Sequence, residues 1–408
     1  MADIIPFRAV RPPRDKVHLV ASRSYVSYSN RDLKEKLDTN PFSFIHIINP
    51  EYDQKVRSKP NSSERFLKVR KRYEEFLDEE YFQKDDKEAF YIYRQIKGEE
   101  SWTGIIAGAG VEDYKRGVIK KHEHTLSKRE QVFKSYLEHT RFHAEPVLLT
   151  YPDNDIISTL IQKHTGTRAE YEFSTTDQVT HLLWVVDNPN EVKKVRSTFQ
   201  EFSSIYIADG HHRSASSALM ADEAGKDNQL AQYFMAYFIP ESNLQVLPFH
   251  RIVKTMGGLT EKDLIERLDH DFKISKIAHD QVTTLPLHHY QMMAVTQQSA
   301  WLLEAKKHLH QDDPIEQLDA WILSEYILAP HLGVEDLRTD KRVEFRGGAF
   351  GRKEAKELVD SKKAEVAFIL PTISVDQIKS VADNNLFMPP KSTWIEPKLR
   401  SGVTIYEF

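Results

Sequence analysis

The stretch SSIYIADGHHRSASSALMADEAG, Ser203–Gly225, decides the fold. Ile205 and Ile207 alternate with Tyr206 as in a buried strand, Ala208 permits close packing, and Gly210 supplies a tight turn. From Ser214 onward a helix is expected, with Ala215, Ala218 and Leu219 facing inward. A helix that starts just past the carboxyl end of a buried strand presents free backbone N–H groups and the positive end of its dipole, which together welcome an anion. The residues wedged into the turn suit one. Arg213 offers a planar fork for phosphate or carboxylate oxygens, and His211 and His212 can donate hydrogen bonds or exchange a proton near neutral pH. Asp209 would repel an anion unless it holds a histidine or a divalent cation, and a cation is what a polyphosphate brings. The plainer alternative makes Asp209 a helix cap, the histidines satisfied turn residues, and Arg213 the partner of a neighbouring acid. Five such residues in a row at a strand-to-helix turn favour a site.

Two further clusters invite the same question. VIKKHEHT, Val118–Thr125, follows an expected short strand and carries Lys120, Lys121, His122, Glu123 and His124. Its lysines and His122 can bind phosphate or substrate, and Glu123 can accept a proton from a substrate hydroxyl; the alternative is a solvated charged loop. His122 and His124 lie two apart, a spacing open to metal binding, but no third ligand is identifiable. In MPPKSTWIEPKLRSG, Met388–Gly402, Pro389 and Pro390 stiffen the chain before Lys391, Ser392 and Thr393, which can close over an anion or form part of a terminal loop. FRGGAFGRKEAK, Phe345–Lys356, lacks the phosphate-loop order of glycine, lysine and hydroxyl.

Composition bounds the rest. A chain of 408 residues exceeds one ordinary core and predicts two or three packed units. With no cysteine, disulfides, thiolate metal sites, iron-sulfur clusters and thiol nucleophiles are excluded. The N-terminus has no secretory pattern and no run approaches the roughly 20 apolar residues of a membrane helix, so a soluble cytoplasmic protein is expected, with no membrane partner. A net charge of -5, mixed along the chain, argues against a nucleic-acid surface.

Periodicity organises the chain into an α/β pattern, α+β overall. The expected divisions are an N-terminal α+β domain over 1–100, a core over 101–255 and a C-terminal α+β domain over 256–408, the last a lid or a homodimer surface. FSFIHIINPEY, Phe42–Tyr52, alternates like a strand, and NSSERFLKVRKRYEEFLDEEYF places Phe66, Val69, Tyr73, Phe76 and Leu77 on one helical face behind a serine cap. Ala89–Gly98 and Trp102–Tyr114 read as a hairpin, and SKREQVFKSYLEHTRF as a helix whose Ser127 and Glu130 have capping-box spacing. EPVLLTY, HLLWVVDNP, AQYFMAYFIP and LQVLPFHRIV read as strands, and IEQLDAWILSEYILAPHLG as a helix that Pro330 should end.

The pairing of VIKKHEHT with a later IYIADGHHRSASS resembles the ParB and sulfiredoxin superfamily, whose strand-to-helix turn binds nucleotide phosphates. The order IIPFRAVRP, NPFSFIHI, GVIKKHE, ADGHHR, LPFHRIV and MPPKSTW resembles the bacterial and archaeal domain-of-unknown-function family one thousand and fifteen, over nearly the whole chain. Within that superfamily the resemblance is to free-serine kinases, and it implies a phosphotransferase working between ATP or ADP and serine or phosphoserine, with Mg2+. Carried over, Gly210, His211, His212, Arg213 and Ser214 would hold the phosphates, Glu123, Asp209 and His211 would be catalytic, and Asp209 would meet the metal. Lys120, Lys121, His122, Lys391, Ser392 and Thr393 would bind substrate. Sulfiredoxin chemistry does not carry over, because its turn needs a cysteine. A nucleotide-binding regulator or scaffold and a phosphomonoester hydrolase are the alternatives.

Overall fold

The computed structural model describes residues 1–225 and 227–408. They form two compact units, one of residues 1–121, 125–244 and 397–408, the other of residues 122–124 and 245–396. The division expected near residue 100 instead falls within a hairpin of the first unit, whose strands share a single sheet, so residues 1–100 are not separate.

The first unit is built on a nine-stranded mixed sheet. Its strands are β1 (Ile4–Ile5), β2 (Phe90–Lys97), β3 (Glu100–Gly110), β4 (Ile119–Lys120), β5 (Val147–Tyr151), β6 (Tyr171–Ser174), β7 (Thr180–Val186), β8 (Ile205–Asp209) and β9 (Tyr233–Pro240). They lie in the order β4-β8-β5-β9-β3-β2-β7-β6, with β1 on β3. β2 and β3 make the expected hairpin, Lys97 opposite Glu100. β4 and β8 run parallel, Ile119 opposite Ile205 and Lys120 opposite Tyr206, so Lys120 reaches the same end of the sheet as Asp209. β5 is buried throughout, as its unbroken apolar run requires for a strand covered on both faces.

Helices of the first unit pack through stripes set by their 3.6-residue period. They include α1 (Ser63–Asp78), α2 (Ser127–Thr140), α3 (Asp155–Thr165), α4 (Pro189–Phe199) and α5 (His211–Ala224). Ser62 caps α1 by accepting the Arg65 amide, and Val69, Tyr73 and Phe76 join Phe44, Phe142 and Ile405 in one core, while Phe66 meets the Tyr136 ring edge-on. Phe42–Tyr52 is no strand: Ile45–Ile48 forms a helical turn that buries Ile45 and Ile47 beside Phe44, a pattern as compatible with one turn of helix as with alternation. α2 starts at Ser127 without a side-chain cap, because the apolar Leu126 stands at the cap position; Glu130 takes the Thr125 hydroxyl.

The second unit holds a seven-stranded antiparallel sheet made of β10 (Gln245–Val253), β11 (Phe272–Ile277), β12 (Gln291–Val295), β13 (Ala300–Ala305), β14 (Val343–Gly347), β15 (Val366–Ile369) and β16 (Thr393–Glu396). Both faces are covered: Ile252 enters one core and its neighbour Val253 another. Pro330 does not end its helix. The chain passes through a π-helical stretch, Ser324–Leu328, and Pro330 then sits in the opening turn of Ala329–Leu332, where its missing N–H matters least; the helix stops at Gly333, φ 60°. Among the described residues no helix is long and apolar enough to cross a membrane.

Candidate functional site

The turn after β8 is tighter than its sequence suggests. The register against β5 shifts between Ile207, opposite Leu149, and Asp209, opposite Leu148, a bulge that re-aims Asp209 at the end of the strand. Gly210 follows with φ 103° and ψ 27°, the left-handed region, and a Cβ there would stand 3.1 Å from the Arg213 guanidinium. One residue therefore completes the turn. α5 begins at His211, three residues earlier than expected from Ser214, and its first-turn amides are those of His211, His212 and Arg213. An α-helix gives such amides no intrahelical acceptor, and their dipoles add to a positive field at this end of the sheet.

The side chains are more committed than the sequence implies. Arg213 does not present an open fork. Its Nη2 lies 2.9 Å from Asp209 Oδ2, and its Nη1 lies 3.0 Å from Glu145 Oε1 and also donates to the Pro146 carbonyl. The guanidinium thus braces the approach to β5 against the end of β8, which is the plainer reading of an arginine paired with neighbouring acids. His211 is buried, and burial above all pushes its pKa down to about 3, so it is neutral at pH 7 and not a proton exchanger there. The Ser214 hydroxyl donates 3.3 Å back to the Gly210 carbonyl, which also accepts its amide at 3.0 Å. Ser216 and Ser217 do likewise to His212 and Arg213, letting a helix rich in serine be buried. Lys120 closes β4, and Lys121 next to it is exposed with its ammonium 5.5 Å from the Tyr114 ring centroid.

The other expected residues belong to the second unit. His122 is buried and its carbonyl accepts the Met388 amide at 2.9 Å; Glu123 is half-buried; the exposed His124 stacks on Phe387 with centroids 3.8 Å apart. Lys391, Ser392 and Thr393 are not a free strap. Ser392 is buried with its hydroxyl donated to the Pro389 carbonyl at 2.7 Å, and Thr393 opens β16 opposite Pro248. Lys391 lies exposed over the Phe249 ring, while its carbonyl accepts from the buried Arg251 at 3.0 Å. Arg251 also donates to the Phe249 and Pro390 carbonyls, and this pins the segment.

A cleft of about 960 Å³ opens within the first unit, a volume suited to a nucleotide-sized ligand. Its lining brings Arg213 and Ser216 of α5 together with His143, Glu145, Tyr136 and Arg65. Burial pushes His143 down to about 3, and Glu145 accepts the Ser401 hydroxyl at 3.2 Å. Sequence reasoning missed these residues. The one signal was Glu145 itself, an acid at the head of an otherwise apolar strand.

Solved structures that superpose on this chain do so loosely. They include a free serine kinase in complex with AMP (TM-score 0.35, 12% identity, 76% of this chain and 94% of that one). Others are C-terminally truncated SbnI from Staphylococcus aureus (0.38, 13%, 71% and 82%) and a conserved hypothetical protein from Pyrococcus furiosus (0.34, 12%, 76% and 98%). No curated protein matches the sequence. The family described as protein of unknown function (DUF1015) matches over residues 4–321, most of the length, and the chain belongs to that family.

Proposed function

We propose that the chain is a phosphotransferase that moves a phosphoryl group between an adenine nucleotide, ATP or ADP, and a small hydroxy acid, L-serine or phosphoserine, on a ParB/sulfiredoxin-like core. The observation that carries this reading is the turn itself: a left-handed glycine starts a 14-residue helix directly at the carboxyl end of a buried strand, with Lys120 closing the parallel neighbour and Lys121 just past it. Backbone amides of His211, His212 and Arg213 would hold the phosphates. The donor set fits a magnesium ion carried on a polyphosphate. Asp209 supplies one carboxylate, 47% exposed, and Mg2+ characteristically takes one or two carboxylates and fills its remaining positions with phosphate and water.

In the transfer, the acceptor oxygen forms its bond to phosphorus as the bond to the departing nucleotide oxygen breaks. Glu123, two residues past Lys121 along the chain, would take the acceptor's hydroxyl proton. The amides and the lysines would stabilise the charge on the transferring group. His211, held neutral, would act only as a hydrogen-bond donor or acceptor. Of the residues expected on the substrate side, the exposed Lys391 would serve there, whereas His122 is buried, Ser392 is held by the Pro389 carbonyl and Thr393 is held in β16.

Glu123→Gln tests the reading. Incubated with ATP, Mg2+ and L-serine, the wild type should form phosphoserine and ADP in equal amounts; the variant should bind nucleotide as tightly by calorimetry but react about 10²-fold more slowly. An unchanged rate would remove Glu123 from the mechanism. A second reading, a regulator that binds nucleotide without chemistry, draws on the engaged Arg213, which leaves the turn fewer mobile cations to follow a transferring group. It predicts nucleotide binding with no turnover, whereas phosphoserine yielding serine and inorganic phosphate without ATP would identify a hydrolase.

A further inference from the structure

The second unit carries a cluster that the phosphotransferase reading does not use. The ladder between β11 and β13 ends with Phe272 opposite Ala305, and one further bond, Lys306 amide to Asp271 carbonyl at 2.9 Å, extends it. The Asp271 amide bonds the Leu268 carbonyl at 3.1 Å, and that of Leu309 the Lys306 carbonyl at 2.8 Å. Leu268, Phe272 and Leu309 are fully buried. Two short segments, 269–271 and 306–308, are thus held side by side by backbone bonds and by apolar anchors on either flank.

Onto this frame the sequence places His270, Asp271 and His308. Asp271 Oδ1 lies 2.7 Å from His270 Nδ1 and 3.0 Å from His308 Nε2, and all three ligand atoms fall within 4.8 Å of one another. The two rings are 5.8 Å apart at 65°, so they approach the shared oxygen from different directions. His310, close by in sequence, is otherwise committed: its Nε2 lies 3.0 Å from the Ala305 carbonyl and its ring stacks on Tyr290.

We propose that His270, Asp271 and His308 bind a divalent transition-metal ion of the Zn2+ class, which clamps segment 269–271 to segment 306–308. Two imidazoles and a carboxylate are the donors such borderline ions take in preference to magnesium or calcium, which favour oxygen. With bonds of about 2.0–2.2 Å, tetrahedral ligands stand about 3.3 Å apart. The observed separations of 2.7 and 3.0 Å need to open by about 0.6 and about 0.3 Å, and the two imidazole nitrogens, no more than 4.8 Å apart, need to settle to the same spacing, when an ion replaces the shared hydrogens. Water fills the remaining position on this exposed face.

Titration of the tag-free, chelator-treated full chain with Co2+, followed by visible absorption, and with Zn2+, followed by calorimetry, tests the site. One ion per chain should bind, and the thermal midpoint should rise with it. His270→Ala, His308→Ala and Asp271→Asn should each weaken binding by about tenfold or more and abolish that rise, while His164→Ala in the first unit leaves both unchanged. The side chains of His270 and His308 are 84% and 50% exposed, so these variants should fold, and circular dichroism checks that they do. A wild type that binds no ion, or His270→Ala and His308→Ala variants with wild-type affinity, would overturn the proposal.

Discussion

Arg213 sits where two demands meet, those of an anion near the helix start and those of the carboxylates around it. Its partners Asp209 and Glu145 and the Pro146 carbonyl occupy both terminal nitrogens. Arg213→Ala should therefore cost about 1–3 kcal/mol in urea unfolding at pH 7, because it leaves two partly buried acids without their cation. Arg213→Lys should restore only part of that, since a single ammonium cannot reproduce the fork. The motif residues were legible in the sequence, but the partners were not. The carbonyls of Glu145 and Pro146 lie 68 and 67 positions upstream, and only the pairing of β5 with β8 brings them near. Ser392 teaches the same lesson: its hydroxyl looked available and is spent on Pro389.

Gly210 controls the turn as an element. Its φ of 103° and the guanidinium 3.1 Å from a would-be Cβ make Gly210→Ala costly twice over, by about 1–3 kcal/mol, seen as a lowered thermal midpoint. Gly333→Ala gives the comparison. That glycine has φ 60° and nothing within 4 Å of its Cβ position, so only the backbone penalty of about 1 kcal/mol applies. Strands and long helices were readable because their apolar periods are long enough to be unambiguous, as in α1 and the β2–β3 hairpin. Short elements were not. Four residues such as Ile45–Ile48 satisfy the period of a strand and of a helix equally, and the passage of Pro330 depends on a π-helical stretch that no residue pattern announces.

Across the whole molecule, buried histidines set the response to acid. His143, His181 and His211 in the first unit and His250 in the second are all pushed down to about 3, chiefly by burial. Unfolded, each would titrate near its ordinary value of about 6.5. Between those two values the unfolded chain binds protons that the folded chain refuses, so stability is full above pH 6.5 and falls as pH drops, by up to about 1.4 kcal/mol per unit for each histidine. Asp319 in the second unit acts oppositely. Burial raises it to about 8, so its contribution is full below pH 4 and declines as pH rises toward 8. Urea unfolding at pH 7.5 and 5.5 should show a marked net loss at the lower pH, and His211→Gln should reduce that loss by one histidine's share, up to about 1.4 kcal/mol. At this scale the break after residue 244 lies close to the boundary expected near 255, but the one expected near 100 does not exist, because β2 pairs not only with β3 but with β7, Ile92 opposite Trp184, and residues 397–408 belong to the first unit.

The most direct test of the phosphate reading is an amide-detected NMR titration of the isotopically labelled full chain with ADP and Mg2+. Saturable shifts of the Gly210, His211 and His212 amides, reproduced by pyrophosphate and absent with adenosine, are the predicted result. Those three resonances standing still while nucleotide binds, or no binding at all, would contradict it.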